Sequence, residues 1–308
     1  MELDRDLLER FEAGLNPQQV EQSSVPAAII GYGEISAIFR IAGDTTVAYK
    51  RLPLFTSDVS ARNYTGLYDE YCRLLQQAGL HLPESGTAVV SIPGRPVVLY
   101  IGQRTLPVEC FGHHLIHRLP EDGVHVLVKR IINRQKRIQS YNRTIHPDRE
   151  IALDGQLSNW AFVGDDIETG AVYFVDTSTP LIRRQGEHQL DPSLLLRAVP
   201  FFLRGLMERL LANDIMDRYF DLRRNLIDLA ANLFKEQRPD LIPPVLAVIN
   251  DNLPDGLHPL NEKEVASYYR MDKHIWGLFL ALRKMDRFLA TRIFGRRYEF
   301  ILPGDIRR

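Results

Sequence analysis

"IALDGQLSNWAFVGDDIETGAVYFVDTSTP", residues Ile151 to Pro180, holds two isolated acids, Asp154 and Asp176, with Asn159 following the first by five positions. Between Asn159 and Asp176 lie an apolar run, WAFV, a polar turn, GDDIETG, and a second apolar run, AVYFV. Two apolar runs around a Gly- and Asp-rich turn predict a hairpin that delivers Asp176 to a strand end. Oxygen donors of this kind suit a hard divalent cation, and an isolated carboxylate suits the proton of an attacking hydroxyl. The same residues could be polar punctuation around two strands, because Asp is favoured at turns for its local hydrogen bonds. The flanking sequence decides between these readings.

Upstream, "AAII" leads into Gly31-Tyr32-Gly33-Glu34-Ile35-Ser36, then "AIFRI", a Gly43-Asp44 turn and "TTVAYK", a strand, hairpin, strand pattern with a glycine-rich first turn. Glycines at that spacing let backbone N–H groups approach phosphate oxygens. A dinucleotide-binding turn would need a helix next, and alternating β-branched runs follow instead. Lys50 ends the "VAYK" run, where a lysine reaches phosphates if a carboxylate fixes its flexible stem. From Tyr64 the period becomes helical, with Leu67, Tyr68, Tyr71, Leu74, Leu75 and Ala78 on one side and Gly79 as the stop. Glu70, beside Tyr71, is the candidate partner of Lys50, and Asp69 is its nearby alternative. "TAVVSIPGRPVVLYI", residues 87–101, predicts one more hairpin.

Outside this core, residues 4–15 predict an amphipathic helix with Leu7, Leu8, Phe11 and Leu15 on one side. Residues 124–143 predict a helix with a basic outer face, Lys129, Arg130, Arg134, Lys136 and Arg137, which reads as a solvated surface. From Pro192 onward the chain reads as mostly helical, including "SLLLRAVPFFLRGLMERLLAND", with proline breaks near Pro239–Pro244 and Pro254–Pro259. The expectation is an α+β chain in three parts: a helical extension over 1–26, a small antiparallel β-rich lobe over 27–103, and a larger, mainly helical lobe over 104–308.

This order of a glycine loop, Lys50, a helical acid, Asp154 with Asn159, a hairpin and Asp176 resembles the protein-kinase-like superfamily. The resemblance is to its small-molecule branch, which includes aminoglycoside phosphotransferases and choline kinases. It spans roughly residues 27 to 180 as ordered motifs and implies a two-lobed fold that uses ATP and Mg2+ to phosphorylate a small-molecule hydroxyl. By that resemblance Gly31, Gly33, Ser36 and Lys50 meet the nucleotide, Glu70 orients Lys50, Asp154 is the catalytic carboxylate, and Asn159 and Asp176 hold metal. Family members usually carry His or Arg ahead of the catalytic Asp, where this chain has Ile151-Ala152-Leu153; Thr177-Ser178 stand where Phe-Gly or a close equivalent follows the second acid. No Ala-Pro-Glu triplet follows Asp176, so a regulated protein kinase is a poor match. These departures support a second reading, a kinase-like nucleotide-binding scaffold with weak or no transfer.

Size and composition set the remaining limits. The 308 residues are 45% hydrophobic and 25% charged with a formal net charge of -1, a globular composition without a field that favours nucleic acid. Two cysteines are too few for a disulfide framework and fit a reducing compartment, so the cytoplasm is expected. The charged N-terminus lacks a signal peptide's apolar stretch, and no run of about 18 apolar residues predicts a membrane span. Cys110, His113, His114 and His117 offer zinc-like ligands without a second pair of recognisable spacing, so zinc is not the preferred reading. The acids Asp214, Asp217 and Asp221 would suit a cationic acceptor if they faced the site, and a solvated helix equally well. The basic run Arg292, Arg296, Arg297, Arg307 and Arg308 has no assigned partner; the acceptor and any protein partner are unspecified.

Overall fold

The computed structural model describes residues 1–33, 36–145, 148–191, 193–197 and 216–303. Five antiparallel strands, β1 (Ala27–Tyr32), β2 (Ala37–Ile41), β3 (Val47–Phe55), β4 (Ser85–Val90) and β5 (Val97–Arg104), form one sheet in the order β1-β2-β3-β5-β4. The β2–β3 turn places Gly43 at φ +76°, and Asp44 closes it by accepting from Thr46 N at 2.7 Å.

Side chains alternate along β3 and so divide the sheet into two faces. On the back face, Tyr49 packs with Phe39 and Tyr100 against Leu8 and Phe11 of helix α1 (Arg5–Gly14). Asp4 caps α1 by accepting from Leu7 N at 2.9 Å. On the front face, Leu52, Leu99 and Ile101 meet Tyr64, Tyr68 and Tyr71 of helix α2 (Asp58–Gln77). This helix begins six residues before its apolar period, in a polar first turn held by a Ser57–Ser60 capping box.

Beyond β5 come a short helix α3 (Gly112–Leu115) and the long helix α4 (Glu121–Ile145), whose Val124, Leu127, Val128, Ile131, Ile132 and Ile138 are buried. The predicted hairpin is present as β7 (Trp160–Val163) paired with β8 (Ala171–Phe174). Beside it, β6 (Arg149–Ile151), β9 (Ile182–Arg184) and β10 (Glu187–His188) make a small antiparallel sheet in the order β10-β9-β6. A short helix α5 (Ser193–Leu196) follows; most of the helical run predicted over 193–214 lies outside the described residues.

The C-terminal part is built from α6 (Leu222–Lys235), α7 (Ile242–Asp251) and α8 (Glu262–Phe288). Pro243 and Pro244, expected to break a helix, instead lie in the first turn of α7, where a missing N–H costs no intrahelical bond. A buried cluster runs without a gap from β5 and α2 through α4 to α6 and α7. The β-rich N-terminal part followed by a mainly helical C-terminal part is thus the observed architecture. After α8, a π turn (Leu289–Ile293) leads back to the sheet's rear face, where Ile301 joins the α1 cluster.

Candidate active site

β3 presents Lys50 on the front face, and its ammonium donates to Asp176 Oδ1 at 2.8 Å and to Ser178 Oγ at 2.6 Å. The Ser178 hydroxyl in turn donates to Asp176 Oδ1 at 2.9 Å, so three side chains close one ring of hydrogen bonds. Burial alone would raise Asp176, but the Lys50 charge and the hydrogen bonds from Lys50 and Ser178 hold it below the usual carboxylate range. Helix α2 fixes the loop around this ring through buried tyrosines. Tyr64 donates to Ser178 O at 2.7 Å, and Tyr71 donates to Ala152 O at 2.6 Å.

The loop from Asp154 to Asn159 is positioned from both ends. Asn159 Nδ2 donates to Asp154 O at 3.1 Å, and Asn159 O accepts from Val175 N at 3.0 Å, which seats Asn159 beside the approach to Asp176. Gly155 is required by close packing: a Cβ there would come within 2.3 Å of the buried Gln135 amide nitrogen. Leu157 N donates to Asn232 Oδ1 at 2.9 Å, tying the loop to α6.

Asp154 and Asp176 sit in opposite electrostatic settings. Burial pushes the Asp154 carboxyl up to about 8, aided by the negative charges of Asp228 and Asp176 and opposed by Arg218 and a hydrogen bond from Gln156 N. Asp228, a buried residue of α6, is itself raised by burial while Lys235 and Arg218 pull it back. Lys235 also lies 3.3 Å from Asp272 Oδ2, an ion pair between α6 and α8. One carboxylate is thus held ionised against a lysine, and the other is raised by burial and by the like charges beside it.

The structure brings Lys50, Asp154, Asn159 and Asp176 into one neighbourhood, and it corrects the expected Lys50–Glu70 pair. Glu70 turns instead to the small sheet, pairing with Arg184 and lying 3.4 Å from Arg149. The reason is angular: Tyr64, Tyr68 and Tyr71 define the buried face of α2, and Glu70 leaves the helix off that face. Asp69, the alternative, is exposed. Gly31 lies in β1 next to a bulge, and Gly33 N donates to Ser36 O at 2.9 Å to close the β1–β2 turn; Glu34 and Ile35 are outside the described residues. Ile38 pairs with Lys50 across β2 and β3, so this turn is attached to the lysine's own ladder.

Other sequence candidates have local partners. Asp217 accepts from Arg183 and contacts His188 Nε2 at 2.8 Å, and Asp221 caps α6 by accepting from Arg224 N at 3.1 Å; Asp214 lies outside the described residues. Of the basic face on α4, Arg130 donates to the carbonyls of Ile167 and Gly170 in the β7–β8 turn, and Arg134 and Arg137 donate to Gly79 O at 3.3 and 3.4 Å. His113 is pushed down to about 4 by burial and by the neighbouring His114 and His117. Among the described residues, no group of three or more His, Cys, Asp or Glu side chains is arranged to hold a metal ion. Ser178, Asp228 and Asn232 were missed by sequence reasoning; Ser178 could have been found from its i+2 spacing to Asp176, whereas nothing local marks the two on α6.

Comparison with known proteins adds the family. The model for a family of unknown function, DUF6206, matches residues 17–287. The chain belongs to this family. No curated protein matches this DUF6206 member. Among solved structures, "WaaP in complex with acyl carrier protein" is similar at 15% identity over 71% of this chain and 90% of that chain, with a TM-score of 0.33, a likeness too weak to carry a functional argument.

Proposed function

We propose that this DUF6206 chain is a kinase-like phosphotransferase that moves the γ-phosphoryl group of ATP to a hydroxyl of a small molecule. The observation that carries the reading is geometric: Lys50 meets Asp176 at 2.8 Å, and Asn159, on the approach to Asp176, holds the Asp154 backbone at 3.1 Å, so the lysine, both acids and the amide gather in one place. In the transfer, the acceptor oxygen forms its bond to the γ-phosphorus as the bond to the bridging oxygen breaks, and ADP leaves with that electron pair. The ionised form of Asp154 accepts the hydroxyl proton, and Lys50 sits where it can exchange Asp176 for phosphate oxygens.

The donor set fits magnesium. Asp176 offers a carboxylate, and Asn159 uses its Nδ2 on Asp154 O, which leaves Oδ1 as an oxygen ligand. Two protein oxygens, with phosphate oxygens and water completing the shell, are the usual protein contribution to a magnesium–nucleotide site. Bound there, the ion would neutralise charge on the phosphates; Asp176 and Asn159 would hold it.

A nucleotide-binding scaffold is the second reading, favoured by the apolar approach to Asp154: Ile151, Ala152 and Leu153 are all buried and none can contact a phosphate by charge. One experiment separates them. Thermal shift with ATP, with and without magnesium, is expected to stabilise the wild type and not Asp176→Ala, because a ligand that binds the native state raises its apparent stability. The absence of any shift at saturating nucleotide overturns both readings. A shift without ADP formation across an acceptor panel favours the scaffold.

A further inference from the structure

From Met271 onward, α8 and the π turn after it carry large apolar side chains that face outward. Met271, Leu278, Phe288, Ile293 and Phe294 are 55%, 58%, 58%, 59% and 53% exposed. Met271, Ile275, Leu278 and Met285 recur at helical spacing, so they form one stripe along the helix surface. From Met271 to Phe288 this stripe is about 25 Å long at the α-helical rise.

The π turn extends the stripe. Phe294 N donates to Leu289 O at 3.0 Å, a bond that closes five residues where an α-helix closes four. Positions five apart then lie closer to one side than in an α-helix, and Phe288, Ile293 and Phe294 are all exposed there. An α-helical continuation would turn Ile293 farther from Phe288.

The charge around the stripe is one-sided. From Ala266 to Arg297 the exposed ionised side chains are all basic, including Arg270, Lys273, Lys284, Arg292 and Arg296. The two acids of that stretch, Asp272 and Asp286, are half-buried, and Asp272 is paired with Lys235. An apolar stripe flanked by arginine and lysine, on a helix that is not apolar all round, is the pattern that lies in the plane of a lipid surface. Among the described residues no helix is long and apolar enough to cross a membrane.

We propose that the α8 surface, from Met271 through Phe294, docks in-plane on an anionic phospholipid bilayer. Phe288, Ile293 and Phe294 enter the acyl boundary, while Arg292 and Arg296 stay with the headgroup phosphates, their stems lying along the apolar surface. A second copy of the chain is the competing occupant. The flanks argue against it, because same-sign flanks repel across a two-fold helix pair and attract a negatively charged surface. This assignment is independent of the phosphotransferase reading.

The test is co-sedimentation of the full chain with vesicles of phosphatidylcholine alone and of phosphatidylcholine mixed with phosphatidylglycerol. The variants are Phe288→Ser/Ile293→Ser/Phe294→Ser and Arg292→Glu/Arg296→Glu. The wild type is expected to pellet with the mixed vesicles only and to be released as salt is raised. Each variant is expected to lower partitioning at least about tenfold. All five positions are exposed, so circular dichroism and melting temperature should stay at wild-type values, and the salt titration of the wild type tests the assignment even if a variant misfolds. No pelleting, equal pelleting with both vesicle types, or unchanged partitioning in both variants overturns it. A dimer in analytical ultracentrifugation that the triple variant dissociates, without vesicle binding, gives the face to a second copy and also overturns it.

Discussion

Lys50 and Arg51 are neighbours on one strand and serve opposite ends. Lys50 points to the front of the sheet, half-buried, and holds Asp176 and Ser178 in a small ring. Arg51 points to the rear, 2% exposed, and makes four hydrogen bonds: it donates to both oxygens of Glu12 at 2.7 Å, to Glu299 O at 2.6 Å and to Glu299 Oε2 at 3.0 Å. Tyr100 adds a hydrogen bond to Glu12 at 2.5 Å, and Arg297 holds the far oxygen of Glu299 at 2.8 Å. The rear cluster thus clamps α1, β3, β5 and the returning C-terminal segment in one place. The two-residue period of a strand separates a cation that can change partners from one that cannot.

Breaking the rear cluster should have the largest effect. Arg51→Met leaves Glu12 and Glu299 buried without their cation and is expected to cost about 3–5 kcal/mol in urea unfolding. A cost below 1 kcal/mol would mean that water reaches the cluster and that the two cations do not differ in kind. On the front, Asp154→Asn is expected to lower turnover at least about 100-fold, the lower end of what a positioned base supplies, with the fold retained. Wild-type turnover in that variant would remove Asp154 from the chemistry.

Lys50→Met sharpens the contrast with Arg51. The two side chains are only 17% and 29% exposed, so losing the lysine is expected to cost about 1–3 kcal/mol, less than Arg51→Met, while the magnesium–ATP thermal shift disappears. Asp154→Asn also tests the electrostatics. The folded chain keeps the Asp154 proton up to about 8, whereas the unfolded chain releases it near the ordinary 3.8. The folded state therefore binds more protons across that window, and its stability falls as pH rises through it. The Asn variant cannot ionise; its Tm should match wild type in acid and exceed it progressively as pH rises toward the alkaline end. Equal Tm at both ends would show that Asp154 is not desolvated.

Glu70→Gln should do least. Its partners Arg184 and Arg149 have half-exposed side chains, so the loss is expected to stay below about 1 kcal/mol, with turnover unchanged. A loss of turnover equal to that of Lys50→Met would restore Glu70 to the site.

The elements around the site were legible because each carries its own period or punctuation. The hairpin from Trp160 to Phe174 shows in its alternating runs and polar turn, and β3 in the alternation that ends at Lys50. The start of α2 was not legible, since its first turn is polar and its capping box uses two serines in place of the usual Ser and Glu. Nor was the partner of Lys50. A count of residues from Tyr71 suggests Glu70, but the direction in which a helical side chain leaves the axis is set by how the helix rolls onto the sheet, and three buried tyrosines fix that roll.

The sequence by itself determined the α+β order and the short-range spacings of the loop, because strand alternation, helix period and turn chemistry are local properties of the chain. Only the tertiary structure decided which charges meet. Lys50 and Asp176 are separated by 126 positions, Arg51 and Glu299 by 248, and Asp154 is raised first by burial and then by the charge of Asp228, on a helix that the sequence does not connect to it. Those pairings depend on distance and desolvation in space, and neither quantity has a local signature.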